Sequence, residues 1–255
     1  MPAAFYTGAM DMGALKNDGI ALVGFDADDT LWRSQDYFDD AQARFERIIS
    51  AYVDLADIAK QLYEYESRNL AIFGYGVKGM TLSMVEAAVE ITEARITASD
   101  IHRIVQLGKE LLRHPVEVLP DVREAVAAIA TEFPVVLITK GDLFHQEAKV
   151  RDSGLAHLFG RIEIVSEKDP ATYARVLREF DVDPTQFLMV GNSLRSDIAP
   201  VLELGGWGVH VPYHVTWAHE AEGKVGVGIE RMRSIAGIAQ LADAVYALNR
   251  CALNS

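Results

Sequence analysis

Five short stretches of the chain are apolar at nearly every position: 20–25, 135–138, 162–165, 187–190 and 207–211. A strand with one wet face alternates apolar and polar residues, whereas a strand covered on both faces does not. The pattern therefore predicts a sheet sandwiched between helices. Between the last four strands the apolar spacing turns helical, near 143–153, 170–180 and 196–204. Gly154 follows the first helix, Pro170 opens the second and Gly205 follows the third, each a residue suited to that boundary. Strand–helix–strand repetition implies right-handed crossovers and a parallel, Rossmann-like α/β sheet. Residues 229–248 return to helical spacing and are expected to cover the sheet.

The interval between the first two strands is too long for one crossover, since Asp26 and Thr139 are 113 positions apart. Within it, Phe38, Phe45, Ile48, Ile49 and Tyr52 recur at helical spacing, as do Ile101, Ile104, Val105, Leu107 and Leu111. This predicts an all-helical insertion over residues 34–115. The α/β core is then residues 1–33 and 116–255, and Pro115 and Pro120 mark the return to it. Inside the insertion, Phe73-Gly74-Tyr75-Gly76-Val77-Lys78-Gly79 carries three glycines and reads as a loop between helices.

Composition narrows the function. With 37 acidic against 24 basic residues, the chain carries a formal charge of -13 and is a poor match for a nucleic-acid polymer. A small phosphorylated molecule stays compatible, because local cations and backbone N–H groups can hold it. The single cysteine, Cys251, allows no intrachain disulfide. No apolar run approaches the ~20 residues of a membrane span, and the first twenty residues show no basic-then-apolar leader. The expectation is a cytoplasmic protein, monomeric or homodimeric, without a membrane partner.

Polar residues of marked chemistry follow four of the strands. After the first comes Asp26-Ala27-Asp28-Asp29-Thr30. Several acids at a strand end are costly unless a cation or solvent compensates. Two carboxylates two positions apart can share one face, one to attack phosphorus and one to handle a proton. A capped helix start at Asp29 or Thr30 would also explain the pattern. After the second strand, Thr139, Lys140 and Gly141 form a candidate phosphate seat of hydroxyl and N–H donors, with Thr30 as a further substrate-side hydroxyl. Lys168 follows the third strand, where an ammonium could balance charge between phosphate and nucleophile. Asn192 and Asp197 follow the fourth and offer oxygen donors to a cation, although a glycine turn with an ordinary cap would look similar.

These motifs, in this order at successive strand ends, resemble the haloacid dehalogenase-like superfamily, which is mostly phosphatases. The resemblance covers the core from Ile20 to Val211. It implies that Asp26 is a nucleophile forming an aspartyl-phosphate, and that Asp28 is the acid and then the base. It implies that Thr139 and Lys168 fill the second and third motifs. The Asp26 carboxylate and the Asp28 backbone carbonyl would bind Mg²⁺, together with Asn192 and Asp197. It also implies that the helical insertion is a cap. Many relatives have Gly-Asp where this chain has Gly191-Asn192, which removes one negative charge from the cation site. Asp28 argues against carbon–halogen cleavage, since relatives with that activity need no metal and typically lack this acid.

The expected activity is thus hydrolysis of a small phosphomonoester. A phosphomutase, a phosphonate hydrolase using Lys78 as an imine former, and a non-catalytic phosphate-binding module are the alternatives. Tyr75 and Lys78 are the candidates for substrate selection. His214, Trp217 and His219 follow the last strand, and packing or loop anchoring accounts for them better than a second metal site.

Overall fold

The computed structural model describes residues 19–54, 56–221 and 225–254; most of the segment read as lacking a leader lies outside them. The chain forms two compact units. Of the described residues, one unit holds those up to Arg33, Val116–Lys140 and those from Ala148 onward; the other holds those of Ser34–Pro115 and Gly141–Glu147.

The first unit is built on one six-stranded parallel sheet. Its strands are β1 (Leu22–Phe25), β2 (Val135–Lys140), β3 (Arg161–Val165), β4 (Phe187–Gly191), β5 (Trp207–His210) and β6 (Met232–Ser234), in the order β3-β2-β1-β4-β5-β6. Phe25 pairs with Leu137 on one side and with Val190 on the other, which puts β1 at the centre. Alternate residues supply two separate cores. Val23, Phe25, Val135, Leu137, Leu188 and Val190 pack with Val122 and Val126 of α5 (Val122–Ala130) and with Leu241, Val245 and Leu248 of α10 (Leu241–Ala252). Leu22, Val136, Ile138, Phe187 and Met189 pack with Tyr173, Val176 and Leu177 of α7 (Pro170–Glu179) and with Val201 of α8 (Ala199–Glu203). Burying a large apolar side chain contributes ~1.5–3 kcal/mol, so both faces stabilise the sheet. Gly24 keeps this packing close: a Cβ there would lie 2.5 Å from the Phe187 ring.

Residues 229–248 correct the sequence reading. They contain β6, which pairs with β5, before α10 begins at Leu241. A three-residue edge strand, half-buried at Met232 and exposed at Arg233 and Ser234, has no apolar run to betray it. The helix expected over 196–204 is a π-helical turn, Leu194–Ile198, followed by α8.

Among the described residues the second unit is built on α1 (Gln35–Ile49), α2 (Ile58–Phe73), α3 (Val77–Ile91) and α4 (Ala98–Leu112), and it also takes the start of the helix that begins at Leu143. Phe45, Ile49, Leu62, Met84, Ala87, Ile104 and Leu107 form its core. Asp57 and Thr97 cap α2 and α4 by accepting from Lys60 N and Asp100 N. Gly74 and Gly76 have φ of 70° and 102°, a left-handed backbone that breaks the chain between α2 and α3. The break is shorter than the glycine pattern suggested, and Lys78 and Gly79 lie in the first turn of α3. Among the described residues no helix is long and apolar enough to cross a membrane.

Candidate active site

Sheet order decides where the polar residues meet. The chain builds β1, β2 and β3 outward in one direction, then places β4 on the other side of β1. The carboxyl ends of β1 and β4 flank this reversal, the usual ligand crevice of an open α/β sheet. Asp26 follows β1, and its N–H continues the ladder to Val190 O at 2.9 Å. Thr139 lies two residues beyond Leu137, the partner of Phe25, so it sits on the same sheet edge and is buried there.

Lys168 joins two of the motifs. Its Nζ donates to Asp26 Oδ1 and to Asp197 Oδ1, the latter at 2.7 Å. All three side chains are buried: Asp26 is 6% exposed, Lys168 4% and Asp197 1%. Thr30 Oγ1 donates to Asp26 Oδ2 at 2.9 Å and accepts from Asn192 N at 3.0 Å, while Asn192 Oδ1 lies 3.3 Å away. The hydroxyl expected on the substrate side is therefore engaged in tying the first motif to the fourth. Asp197 Oδ2 accepts from Ser193 N at 2.9 Å. This requires glycine at 191, where a Cβ would lie 2.2 Å from Asp197 Oδ2.

Two buried carboxylates against one ammonium leave an excess of negative charge. Burial, and then Asp197, push the Asp26 carboxyl up to about 7 despite Lys168. Burial works against the Lys168 ammonium, yet Asp197 and Asp26 outweigh it and hold the lysine well above its ordinary value.

Asp28 has a separate environment. Lys149 Nζ, on α6 (Leu143–Ser153), lies 2.6 and 2.7 Å from its two oxygens. Trp32 Nε1 donates to Asp28 Oδ1 at 2.6 Å. The main chain makes this approach possible by a tight turn in which Asp29 takes φ of 62° and Asp29 N bonds to Trp32 O. Lys149 carried no sequence signal, since it sits in mid-helix outside any motif.

The Lys140 side chain turns to the fourth motif, donating to Ser196 Oγ at 2.9 Å and to Glu220 Oε1 at 2.5 Å. Gly141 groups with the helical unit, unlike Thr139 and Lys140. Tyr75 and Lys78 belong to that unit as well, where Lys78 Nζ pairs with both oxygens of Asp142 at 3.0 Å. In the segment after β5, His219 O accepts from Arg195 and the Trp217 ring lies 4.9 Å from that of His219. His214 lies against Tyr213, ring to ring at 4.3 Å.

Comparison with known proteins identifies the class. Residues 20–205 match the haloacid dehalogenase-like hydrolase family, and the chain belongs to it. Among solved structures it is similar to a haloacid dehalogenase-like family hydrolase from Xanthomonas campestris. They share 56% identity over 92% of this chain and 94% of that one, with a TM-score of 0.82. Two distant likenesses show the fold alone. A 2-haloacid dehalogenase from Pseudomonas syringae pv. Tomato DC3000 has 23% identity, 89% and 98% coverage and a TM-score of 0.58. A Bacillus subtilis protein named as a HAD-hydrolase and bound to magnesium has 17% identity, 91% and 99% coverage and a TM-score of 0.58. No curated protein matches the sequence.

Proposed function

We propose that this hydrolase is a magnesium-dependent phosphomonoesterase that acts on a small phosphorylated metabolite, with Asp26 as the nucleophile. The observation that carries the reading is the pair of aspartates with opposite environments. Asp26 is buried on Lys168, and Asp28, two residues on, is held at the edge by Lys149 and Trp32. Different settings for two acids are what separate nucleophile and proton-transfer roles demand.

In the first half-reaction an Asp26 carboxylate oxygen attacks phosphorus, and Asp28 gives a proton to the departing alkoxide. In the second, Asp28 takes a proton from water as that water attacks the phosphorus of the aspartyl-phosphate, returning inorganic phosphate and free Asp26. Lys168 stays protonated throughout and faces the oxygens on which charge gathers. Thr30 and Lys168 together fix both oxygens of Asp26 before substrate arrives. Thr139 and the backbone N–H groups of Lys140 and Gly141 are the donors assigned to the phosphoryl oxygens.

The donor set fits a magnesium ion. Among the described residues no three carboxylate, imidazole or thiol side chains converge as a metal cluster. Magnesium needs fewer, because it binds one or two carboxylates and completes its octahedron with water and substrate phosphate. Asp26, the Asp28 carbonyl, Asn192 and Asp197 are hard oxygen donors, and Asp26 and Asp197 carry the unbalanced buried charge described above. When bound, the ion would neutralise charge between Asp26 and the incoming phosphate. In this reading the helical unit is the cap, with Tyr75 and Lys78 as its candidates for substrate selection. Carbon–halogen cleavage needs neither metal nor a second acid, so the arrangement around Asp28 favours phosphoryl transfer.

Hydrolysis of an aryl phosphate, and then of a panel of metabolite phosphates, tests the reading with and without Mg²⁺. Metal-dependent release of phosphate that disappears in Asp26→Asn supports it. Failure of wild type on the whole panel, or release of halide from a 2-haloacid, contradicts it.

A further inference from the structure

Glu220 lies on α9 (Ala218–Ala221), beyond the last of the four motifs, yet it meets the fourth-motif loop from outside. Its carboxylate accepts from Ser193 Oγ, from Ser196 Oγ at 2.7 and 2.9 Å, and from Lys140 Nζ at 2.5 Å. Ser193 and Ser196 are both buried and lie between Asn192 and Asp197. Burial opposes ionisation of Glu220, but Lys140 and the serine hydroxyls outweigh it and bring the carboxyl down to about 2.

The hydrogen-bond directions explain why a carboxylate is needed. Each serine hydroxyl has one proton, and an acceptor-only group takes both. Ser193 Oγ is then free to accept from Ser196 N at 3.0 Å, which caps the π-helical turn leading to Asp197. Ser196 Oγ is free to accept from Lys140 at 2.9 Å. Arg195 of the same turn donates to the carbonyl of His219, so two neighbouring residues of α9 hold the loop.

We propose that Glu220 is a positioning residue: it binds Ser193 and Ser196 to Lys140 at the end of β2 and so sets how tightly the Asn192–Asp197 loop holds a divalent cation. This rests on the phosphatase reading above. Residues one shell away from a metal typically change affinity ten- to a hundredfold when altered. Glu220→Gln keeps the size of the side chain but replaces one acceptor oxygen by an NH₂ donor facing Lys140 or a serine.

The test is direct Mn²⁺ binding, followed by electron paramagnetic resonance of the free ion, in wild type, Glu220→Gln and Glu220→Ala. It is paired with Mg²⁺ activation of aryl phosphate hydrolysis at saturating substrate. The expected result is Mn²⁺ binding weakened about tenfold or more, an equal rise in half-activating Mg²⁺, and an unchanged KM at saturating metal. Wild-type Mn²⁺ affinity in Glu220→Gln overturns the proposal while leaving the phosphatase reading intact. A wild type that neither binds Mn²⁺ nor turns over phosphate overturns both. Should the Glu220 variants fail to fold, Ser196→Ala removes one of the loop contacts, and unaltered Mn²⁺ binding there overturns the proposal equally.

Discussion

Lys149 and Asp28 form a two-pronged ion pair, with Nζ at 2.6 and 2.7 Å from the two carboxylate oxygens, although 121 positions separate them in the chain. The pair is largely shielded, with the lysine side chain 12% exposed. With Trp32 Nε1 it holds the Asp28 carboxyl in one rotamer, the orientation on which both proton transfers of the proposed mechanism depend. Lys149→Met should therefore lower kcat about ten- to a hundredfold, and Asp28→Asn should lower it further, by about 10²–10⁴. In both, Mg²⁺ affinity should change little, because the backbone carbonyl of Asp28 is retained. Steady-state kinetics at saturating metal check this.

Asn192 presents an amide, and no charge, among the oxygen donors proposed for the cation. Asn192→Asp should tighten Mg²⁺ binding about tenfold by adding charge to the proposed cation site. In chelator the same change should destabilise the fold, because a new carboxylate joins Asp26 and Asp197, which already share Lys168. Calorimetric titration with Mg²⁺ and melting temperatures in EDTA separate the two effects.

Gly191→Ala tests the packing beneath the site. The added Cβ would lie 2.2 Å from Asp197 Oδ2 and 2.5 Å from Asp197 Cβ, so the aspartate must move. A loss of about 1–3 kcal/mol in stability is expected from overpacking. Activity should fall by more than a hundredfold, since Lys168 and Ser193 both lose a partner whose position sets theirs. Urea unfolding and kcat/KM measure the two losses.

Glu66, on α2 of the helical unit, gives that unit a pH signature of its own. Burial pushes its carboxyl from 4.5 to about 7. The folded state thus keeps a proton that the unfolded chain releases, so stability declines as pH rises from about 4.5 to 7 and levels off above. Glu66→Gln should be near neutral at pH 4 and stabilising at pH 8. The gain should be about 1–3 kcal/mol, reduced by the side chain's partial access to solvent. Urea midpoints at the two pH values decide it, and an equal gain at both would contradict the account.

Much of the α/β unit is legible in the chain because its four inner strands are apolar on both faces, as Val23 against Leu22 and Val135 against Val136 show. β3, expected to be covered on both faces, is instead an edge strand that carries Arg161 and Glu163 and is only half-buried up to Ile164. β6 is not legible, since an edge strand with Arg233 and Ser234 exposed has no such need. Asp26, Lys168, Asn192 and Asp197 stand at strand ends, where their chemistry shows against apolar neighbours. Lys149 and Glu220 come from helices, Lys149 121 positions from Asp28 and Glu220 80 positions from Lys140. Nothing local in a helical lysine or glutamate records such a contact, because surface helices carry many of both.

The central claim is that Asp26 becomes covalently phosphorylated. The measurement is rapid acid quench of the enzyme during turnover of a phosphate ester in Mg²⁺, followed by mass spectrometry of the peptide that carries Asp26. The account predicts a phosphoryl adduct on Asp26 that accumulates in Asp28→Asn and is absent in Asp26→Asn. Turnover of the ester with no adduct on Asp26 in either wild type or Asp28→Asn would contradict it.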